Sequence, residues 1–292
     1  MVSEGKQWAT RWGRNPSMSS MEADAYFAMG KSHTVCQDYA GVKGTGVGVR
    51  VAVSDGCSSS PDTDFGSRFL VKATLGSPAF SLPTAPFIAA LANEGAMAVD
   101  LPTSCLDATL LAAHVDAVRE DSLDVIAYGD GVIDIEFKNG DRSTYSIEFE
   151  KEAPGYPSYF LRPDDMALYL EKYGRRTLTI NVTPTDRDPY TNVVESRVTR
   201  DEYGYKQRFP WSKVRRVTLC SDGVRSFRRV VTPGVFQSVP LQQVLAEITT
   251  IHSTAGSFMV RRMRRFLYDF CPKNGWFHED DVGVATILNT DK

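Results

Sequence analysis

The stretch at residues 47–56, reading VGVRVAVSDG, most constrains what this chain can fold into. Val47, Val49, Val51 and Val53 alternate with small or polar residues, the period of a β-strand packed on one face. β-Branched side chains suit such a pleated surface. The run stops at Ser54-Asp55-Gly56, which puts a carboxylate at the tip of a buried strand. Gly56 has no side chain, so its carbonyl can approach whatever Asp55 binds. Oxygen donors of this kind suit hard cations such as Mg²⁺ and Mn²⁺. One apolar strand ending in Asp-Gly is more often a turn than a metal site. Recurrence changes that balance.

Residues 214–223, VRRVTLCSDG, repeat the pattern and end at Ser221-Asp222-Gly223. His278-Glu279-Asp280-Asp281 immediately precedes a third apolar run, VGVATIL at 282–288. Asp38, in Cys36-Gln37-Asp38, lies upstream of the first strand, and Asp130 sits in Tyr128-Gly129-Asp130-Gly131 between two further apolar runs. Asp38, Asp55, Asp130, Asp222 and Asp280 form a coherent set if one sheet system gathers them. Carboxylates that close repel strongly unless cations sit among them. For any one of them alone, a surface turn is the plain reading.

The order and wording of these segments resemble the metal-dependent protein phosphatases, the type 2C serine/threonine phosphatases, over about residues 25–288. The resemblance rests on Gln37-Asp38, VAVSDG ending at Asp55-Gly56, and Asp107-Ala108-Thr109 followed by Tyr128-Gly129-Asp130. Leu219-Cys220-Ser221-Asp222-Gly223 and Asp280-Asp281-Val282-Gly283-Val284 complete it, and Ser32-His33 is similar to a bacterial branch. It implies an α+β fold, a sandwich of two antiparallel β-sheets flanked by α-helices (αββα). It also implies hydrolysis of phosphate monoesters on phosphoserine or phosphothreonine proteins, a Ser/Thr kinase or its target among them. The water would be bridged by two Mg²⁺ or Mn²⁺ ions, with a third in some members. By the same resemblance Asp55 bridges both ions, Asp222 and Asp280 complete one site, and the Gly56 carbonyl serves the other. Asp38 would hold metal-bound water from outside, and Asp130, with Asp222, matches the residues of the looser third ion.

Three departures from the family pattern matter. Gln37 stands where many relatives carry Glu; its amide oxygen brings no charge, so a second ion is expected to bind more weakly. Cys57 stands where many carry a histidine that protonates the leaving group. An arginine that grips substrate phosphate falls five residues before the Asp of the acidic pair, and here that position is His33. His33 is therefore the candidate both for phosphate binding and for proton donation, against an ordinary hydrogen-bonded loop histidine. Gln37 and Cys57 keep open a catalytically weakened pseudophosphatase, acting as a regulatory or phosphoprotein-binding module; Asp55, Asp222 and Asp280 argue against it. A metal-dependent phosphodiesterase or nuclease is a further reading. The net charge of −3 and the absence of a nucleic-acid motif oppose it and argue against a nucleic-acid partner.

No run of about 18 apolar residues exists, so no membrane-spanning helix is expected. The first residues lack the apolar core and cleavage site of a signal peptide, which points to the cytoplasm. Cys36, Cys57, Cys105, Cys220 and Cys271 are scattered, odd in number and form no CxxC pair, which argues against a zinc or disulfide framework. Residues 1–22 read as an N-terminal extension, with Trp8 and Trp12 docking on a single domain over 23–292. A strand is expected at 24–30 and helices at 64–75, 83–99, 241–251 and 257–270. Strands at 109–115, 123–127, 132–137 and 144–149, separated by turn residues, read as an antiparallel meander. The proline-rich segment at about 150–211 reads as a flap or insertion beside the active site, with one helix at 164–173. Arg261, Arg262, Arg264 and Arg265 read as a solvated helix face, the functional alternative being a patch for phosphorylated segments. A monomer is expected.

Overall fold

The computed structural model describes residues 21–45, 47–78, 81–149, 154–173, 178–184, 193–197 and 204–291; the expected N-terminal extension, with Trp8 and Trp12, lies outside them. The chain opens with β1 (Met21–Ala28), β2 (Tyr39–Gly44) and β3 (Gly48–Ser54), then α1 (Thr63–Gly76) and α2 (Ala85–Met97). β4 (Leu110–Asp116), β5 (Ser122–Tyr128), β6 (Gly131–Phe137) and β7 (Arg142–Glu148) follow, then α3 (Pro163–Tyr173). β8 (Leu178–Pro184), β9 (Val193–Arg197), β10 (Gly204–Pro210) and β11 (Val214–Cys220) lead to the hairpin β12 (Phe227–Thr232) and β13 (Val235–Ser238). The chain ends with α4 (Leu241–Thr249), α5 (Phe258–Arg264), β14 (Trp276–His278) and β15 (Val282–Asn289). α5 continues into a π-helical turn, Arg265–Phe270, so the helix expected at 257–270 widens in its last turn.

Two antiparallel sheets face each other. One has seven strands in the order β1-β15-β11-β6-β7-β8-β9, the other five in the order β10-β5-β4-β3-β2. Strand alternation divides the side chains into three layers. Val49, Val51, Val53, Leu111 and Ala113 meet Ile133, Ile135, Val217, Leu219 and Ile287 between the sheets. Ala52, Leu110 and Ala112 point the other way, under Leu70 and Val71 of α1 and Ile88 of α2. Val132, Cys220, Val282 and Val284 pack under Val244 of α4 and Met259 and Met263 of α5. The αββα sandwich is therefore as expected, and β3 is buried along its whole length because both of its faces are covered. Even Arg50, on the outward face of β3, is buried: its guanidinium donates to the carbonyls of Thr74 (2.8 Å), Ser77 (3.2 Å) and Ser81 (3.0 Å) around the end of α1.

The expected four-strand meander is corrected. β4 pairs with β5 and β6 with β7, but β5 and β6 lie in different sheets. The Gly129-Asp130 link is a corner from one sheet to the other, and turn residues look the same in sequence whichever way the chain goes next. Gly129 has φ +85°, and a Cβ there would meet Thr109 Cγ2 at 2.7 Å, so only glycine fits the corner. The segment expected to form a flap supplies β8 and β9 to one edge of the seven-stranded sheet and β10 to an edge of the other. A third, small sheet, β13-β12-β14, stands outside the sandwich. Among the described residues no helix is long and apolar enough to cross a membrane.

Candidate metal centre

The carboxylates lie where strands of the two facing sheets end or begin. Asp55 follows β3, Asp222 follows β11, Asp130 occupies the β5–β6 corner, Asp38 precedes β2 and Asp280 precedes β15. The end of β3 is latched to the start of β4: Ser54 Oγ donates to the Thr109 carbonyl (2.5 Å), the Asp55 amide to Thr109 Oγ1 (3.1 Å), and the Thr109 amide to the Asp55 carbonyl (2.8 Å). Gly56 is required by the start of α1, since a Cβ would lie 2.7 Å from the Thr63 carbonyl oxygen.

Asp38 is fully buried and accepts a 2.6 Å hydrogen bond from Ser221 Oγ at its Oδ2. Its Oδ1 and the Oδ1 of Asp222 are buried with no hydrogen-bond partner. Burial, then the neighbouring charges of Asp281 and Asp222, pushes the Asp38 carboxyl well above the usual range, against the opposing hydrogen bond of Ser221. Asp55 is raised in the same way by burial, then by Asp38, Asp222 and Asp280. Burial and Asp222 push Asp130 up to about 6 and also raise Asp280. Asp38, Asp55, Asp130, Asp222 and Asp280 thus occupy one electrostatic neighbourhood.

Asp281, which the sequence reading passed over, is the hub of the loop between β1 and β2. It is buried and accepts hydrogen bonds from the Gly30 amide (2.7 Å, at Oδ1) and the Gln37 amide (2.6 Å, at Oδ2). His33 Nδ1 lies 3.1 Å from Asp281 Oδ2, and His33 Nε2 lies 3.1 Å from Asp280 Oδ1. Both ring nitrogens are therefore engaged by carboxylates. The signal in the sequence was the Asp280-Asp281 doublet. Adjacent residues entering a strand point to opposite sides, so one carboxylate can serve a ligand while the other ties down the chain.

Gln37 Nε2 donates to Thr63 Oγ1 (2.7 Å), and Thr63 Oγ1 donates to the Cys57 carbonyl (3.1 Å), so the Gln37 amide is held at the rim. Burial pushes the Cys57 thiol up, but hydrogen bonds from Ser59 and Tyr156 outweigh it and the net shift is downward. Tyr156 opens the proline-rich segment, which is anchored beside the centre. There Ser158 Oγ donates to Asp107 Oδ1 (2.6 Å), Arg162 pairs with the same carboxylate, and the Cys57 amide donates to the Asp107 carbonyl (2.8 Å). A cleft of about 460 Å³ has His33, Gln37 and Thr63 in its wall together with Asp62 and Asp64, while the five carboxylates of the centre lie outside its lining. His278 is structural: its Nδ1 lies 2.8 Å from the Asp280 carbonyl oxygen.

Among the described residues, no three His, Cys, Asp or Glu side chains stand posed as a ready ligand set. The chemistry of the donors nevertheless fits a hard divalent cation. They are carboxylate oxygens, two of them buried without a partner, and their charged forms are disfavoured by burial and by each other.

A helix-flanked sandwich of antiparallel sheets with aspartates collected at strand ends is the architecture of the type 2C phosphatases. The chain belongs to that family: the Protein phosphatase 2C model matches residues 29–268. A crystal structure of a bacterial serine phosphatase carrying a point mutation is similar at 13% identity and a TM-score of 0.51, covering 93% of this chain and 99% of that one. The serine/threonine phosphatase Stp1 from Staphylococcus aureus has 13% identity and a TM-score of 0.46, with 95% and 99% covered. The catalytic domain of the serine/threonine protein phosphatase PstP, in complex with two manganese ions, has 14% identity and a TM-score of 0.44, with 93% and 99% covered. No curated protein matches the chain. At 13% identity the first of these likenesses, with its TM-score of 0.51, speaks for the fold alone.

Proposed function

We propose that the chain is a metal-dependent phosphoprotein phosphatase that hydrolyses phosphoserine and phosphothreonine monoesters. The observation that carries this is the pair of buried, partnerless carboxylate oxygens, Asp38 Oδ1 and Asp222 Oδ1, among aspartates whose charged forms are mutually destabilised. Asp55, Asp222 and Asp280 would hold Mg²⁺ or Mn²⁺ together with the Gly56 carbonyl, with Gln37 Oε1 and Asp130 as further donors. Such ions supply Lewis-acid charge that activates water and offsets the phosphoryl oxygens. Asp38 Oδ1 is free to accept a proton from attacking water, while Ser221 Oγ fixes the carboxylate through Oδ2. His33 bridges Asp280 and Asp281 and so sets the orientation of Asp280. On this reading His33 positions Asp280, where phosphate grip and proton donation were the roles expected for it. The five cysteines are all free thiols, which supports a reducing, cytoplasmic setting.

The test is phosphate release from p-nitrophenyl phosphate and from a phosphothreonine peptide, with and without Mn²⁺, alongside calorimetric titration of Mn²⁺. Asp55→Asn should abolish release and weaken Mn²⁺ binding while circular dichroism stays native. Full activity in that variant refutes the mechanism. The uncharged amide of Gln37 favours a second reading, a weakened regulatory module. It predicts phosphopeptide binding without turnover, and Gln37→Glu would then gain Mn²⁺-dependent release.

A further inference from the structure

The small sheet β13-β12-β14 takes no part in the chemistry above, yet it carries an apolar face. Val230 stands opposite Phe236, and Arg228 stands opposite both Ser238 and Phe277, so these side chains share one face. The rings of Phe236 and Phe277 are 5.2 Å apart and nearly perpendicular, and the Lys31 ammonium lies 4.2 Å from the centroid of the Phe277 ring. Phe236 is 54% exposed and Val230 47%. Soluble proteins ordinarily blunt a hairpin edge with charge or proline rather than displaying large apolar groups on it.

This ledge is fastened to the carboxylate rim. β14 runs through Glu279 directly into Asp280; the Lys31 amide donates to the His278 carbonyl (3.2 Å), the Ser32 amide to the Glu279 carbonyl (3.0 Å), and Arg228 Nε pairs with Glu279 (3.0 Å). Among the described residues Lys31 has no carboxylate partner, so its charge is open to one from outside. We propose that the ledge formed by Lys31, Phe277, Phe236 and Val230 docks the segment of a phosphoprotein substrate that flanks the phosphoresidue. An apolar side chain of that segment seats on Phe236 and Val230, and an acidic one meets Lys31. The proposal rests on the phosphatase reading above. Two features favour this occupant: the ledge is continuous with the proposed reaction centre through β14 and Asp280, and its cation sits on the Phe277 ring with no carboxylate partner among the described residues. Asp280 lies three residues beyond Phe277, at most about 11 Å of chain. The ring contact adds 5.2 Å. The seated side chain thus lies within about five residues of extended chain from Asp280, which sets the reach of the docked segment.

The experiment compares two phosphothreonine peptides. One carries Asp two residues and Leu-Phe four and five residues from the phosphothreonine; the other has Ala at those positions. p-Nitrophenyl phosphate, too small to reach the ledge, is the control. Wild-type protein with Mn²⁺ should prefer the first peptide about fivefold or more in kcat/KM. Phe236→Ser and, separately, Val230→Ser should remove that preference through KM and leave kcat/KM for p-nitrophenyl phosphate within twofold. Loss of no preference in either variant, or none in the wild type, overturns the proposal. If the wild type hydrolyses nothing, the phosphatase reading has failed, and fluorescence anisotropy of the labelled first peptide decides the ledge separately. Weaker binding by Phe236→Ser then supports docking, and equal binding overturns it. Sedimentation showing a dimer that Phe236→Ser dissolves would assign the face to a second copy of the chain and overturn the proposal as well.

Discussion

His114 offers a quantitative test of how the outer face of the five-stranded sheet is built. It lies on β4 with Arg50 across on β3 and Asp124 across on β5, is 1% exposed, and has no hydrogen-bond partner at Nδ1 or Nε2. Burial, then the Arg50 charge, pushes its pKa from the ordinary 6.5 down to about 4, against the weaker pull of Asp116 and Asp124. Because the folded pKa is depressed, the unfolded chain binds the proton first as pH falls. The contribution of His114 is therefore fully present above about pH 6.5 and is lost as pH drops toward 4. At about 1.4 kcal/mol for each factor of ten in proton affinity, the whole loss is about 3 kcal/mol, of which about 2 kcal/mol falls between pH 7 and pH 4.5. His114→Leu removes the titrating ring at similar volume. Urea unfolding of wild type and variant at pH 7 and pH 4.5, in EDTA, isolates this contribution, since the other titrating groups are common to both proteins. The variant should gain about 2 kcal/mol relative to wild type on going to pH 4.5, or about 1 M in midpoint. A difference that stays constant with pH refutes the reasoning.

Arg50→Met should cost about 3 kcal/mol or more, because three carbonyls at the end of α1 lose a buried donor, and chemical denaturation will show it. Gly223→Ala should be as severe, since its Cβ would lie 1.6 Å from the Asp281 carbonyl oxygen. A loss of about 3 kcal/mol lowers the melting temperature by roughly 6 °C in a chain of this size, measurable by calorimetry. His33→Ala should weaken Mn²⁺ binding about 10- to 100-fold by calorimetry, and should slow p-nitrophenyl phosphate and phosphothreonine peptide alike. A loss confined to the peptide would restore His33 as the proton donor to a poor leaving group.

Where the apolar pattern repeats every two residues, the sequence was sufficient. Val49, Val51 and Val53 turn inward as the alternation requires, and Val217 and Leu219 do so on the facing sheet. What periodicity could not convey was which sheet a strand joins. The link at Gly129-Asp130 has the composition of a hairpin turn, but it crosses between sheets because Gly131 starts a strand whose partners are β11 and β7. Proline content misled in a similar way at 178–210. Prolines interrupt a segment without forbidding edge strands between them, and Pro184 and Pro210 each stand at the end of one.

The site divides along the same line. Asp55 and Asp222 were legible because each closes an apolar strand, so their placement is a consequence of the sheets themselves. His33 was placed by its distance from Asp38 along the chain, and that distance carries no information about what its ring meets. The structure answers through Asp281, which holds Gly30, His33 and Gln37 with one carboxylate. A loop tied at three points by a buried anion positions the residues it contains rather than leaving them free to follow a substrate. His33 then acts on chemistry through Asp280, and Gln37 meets the centre with its amide already committed at Nε2 to Thr63. Of the Gln37 side chain only Oε1 is left for a cation. Restoring a carboxylate there would free Thr63 Oγ1 of its donor and add the missing charge in the same step.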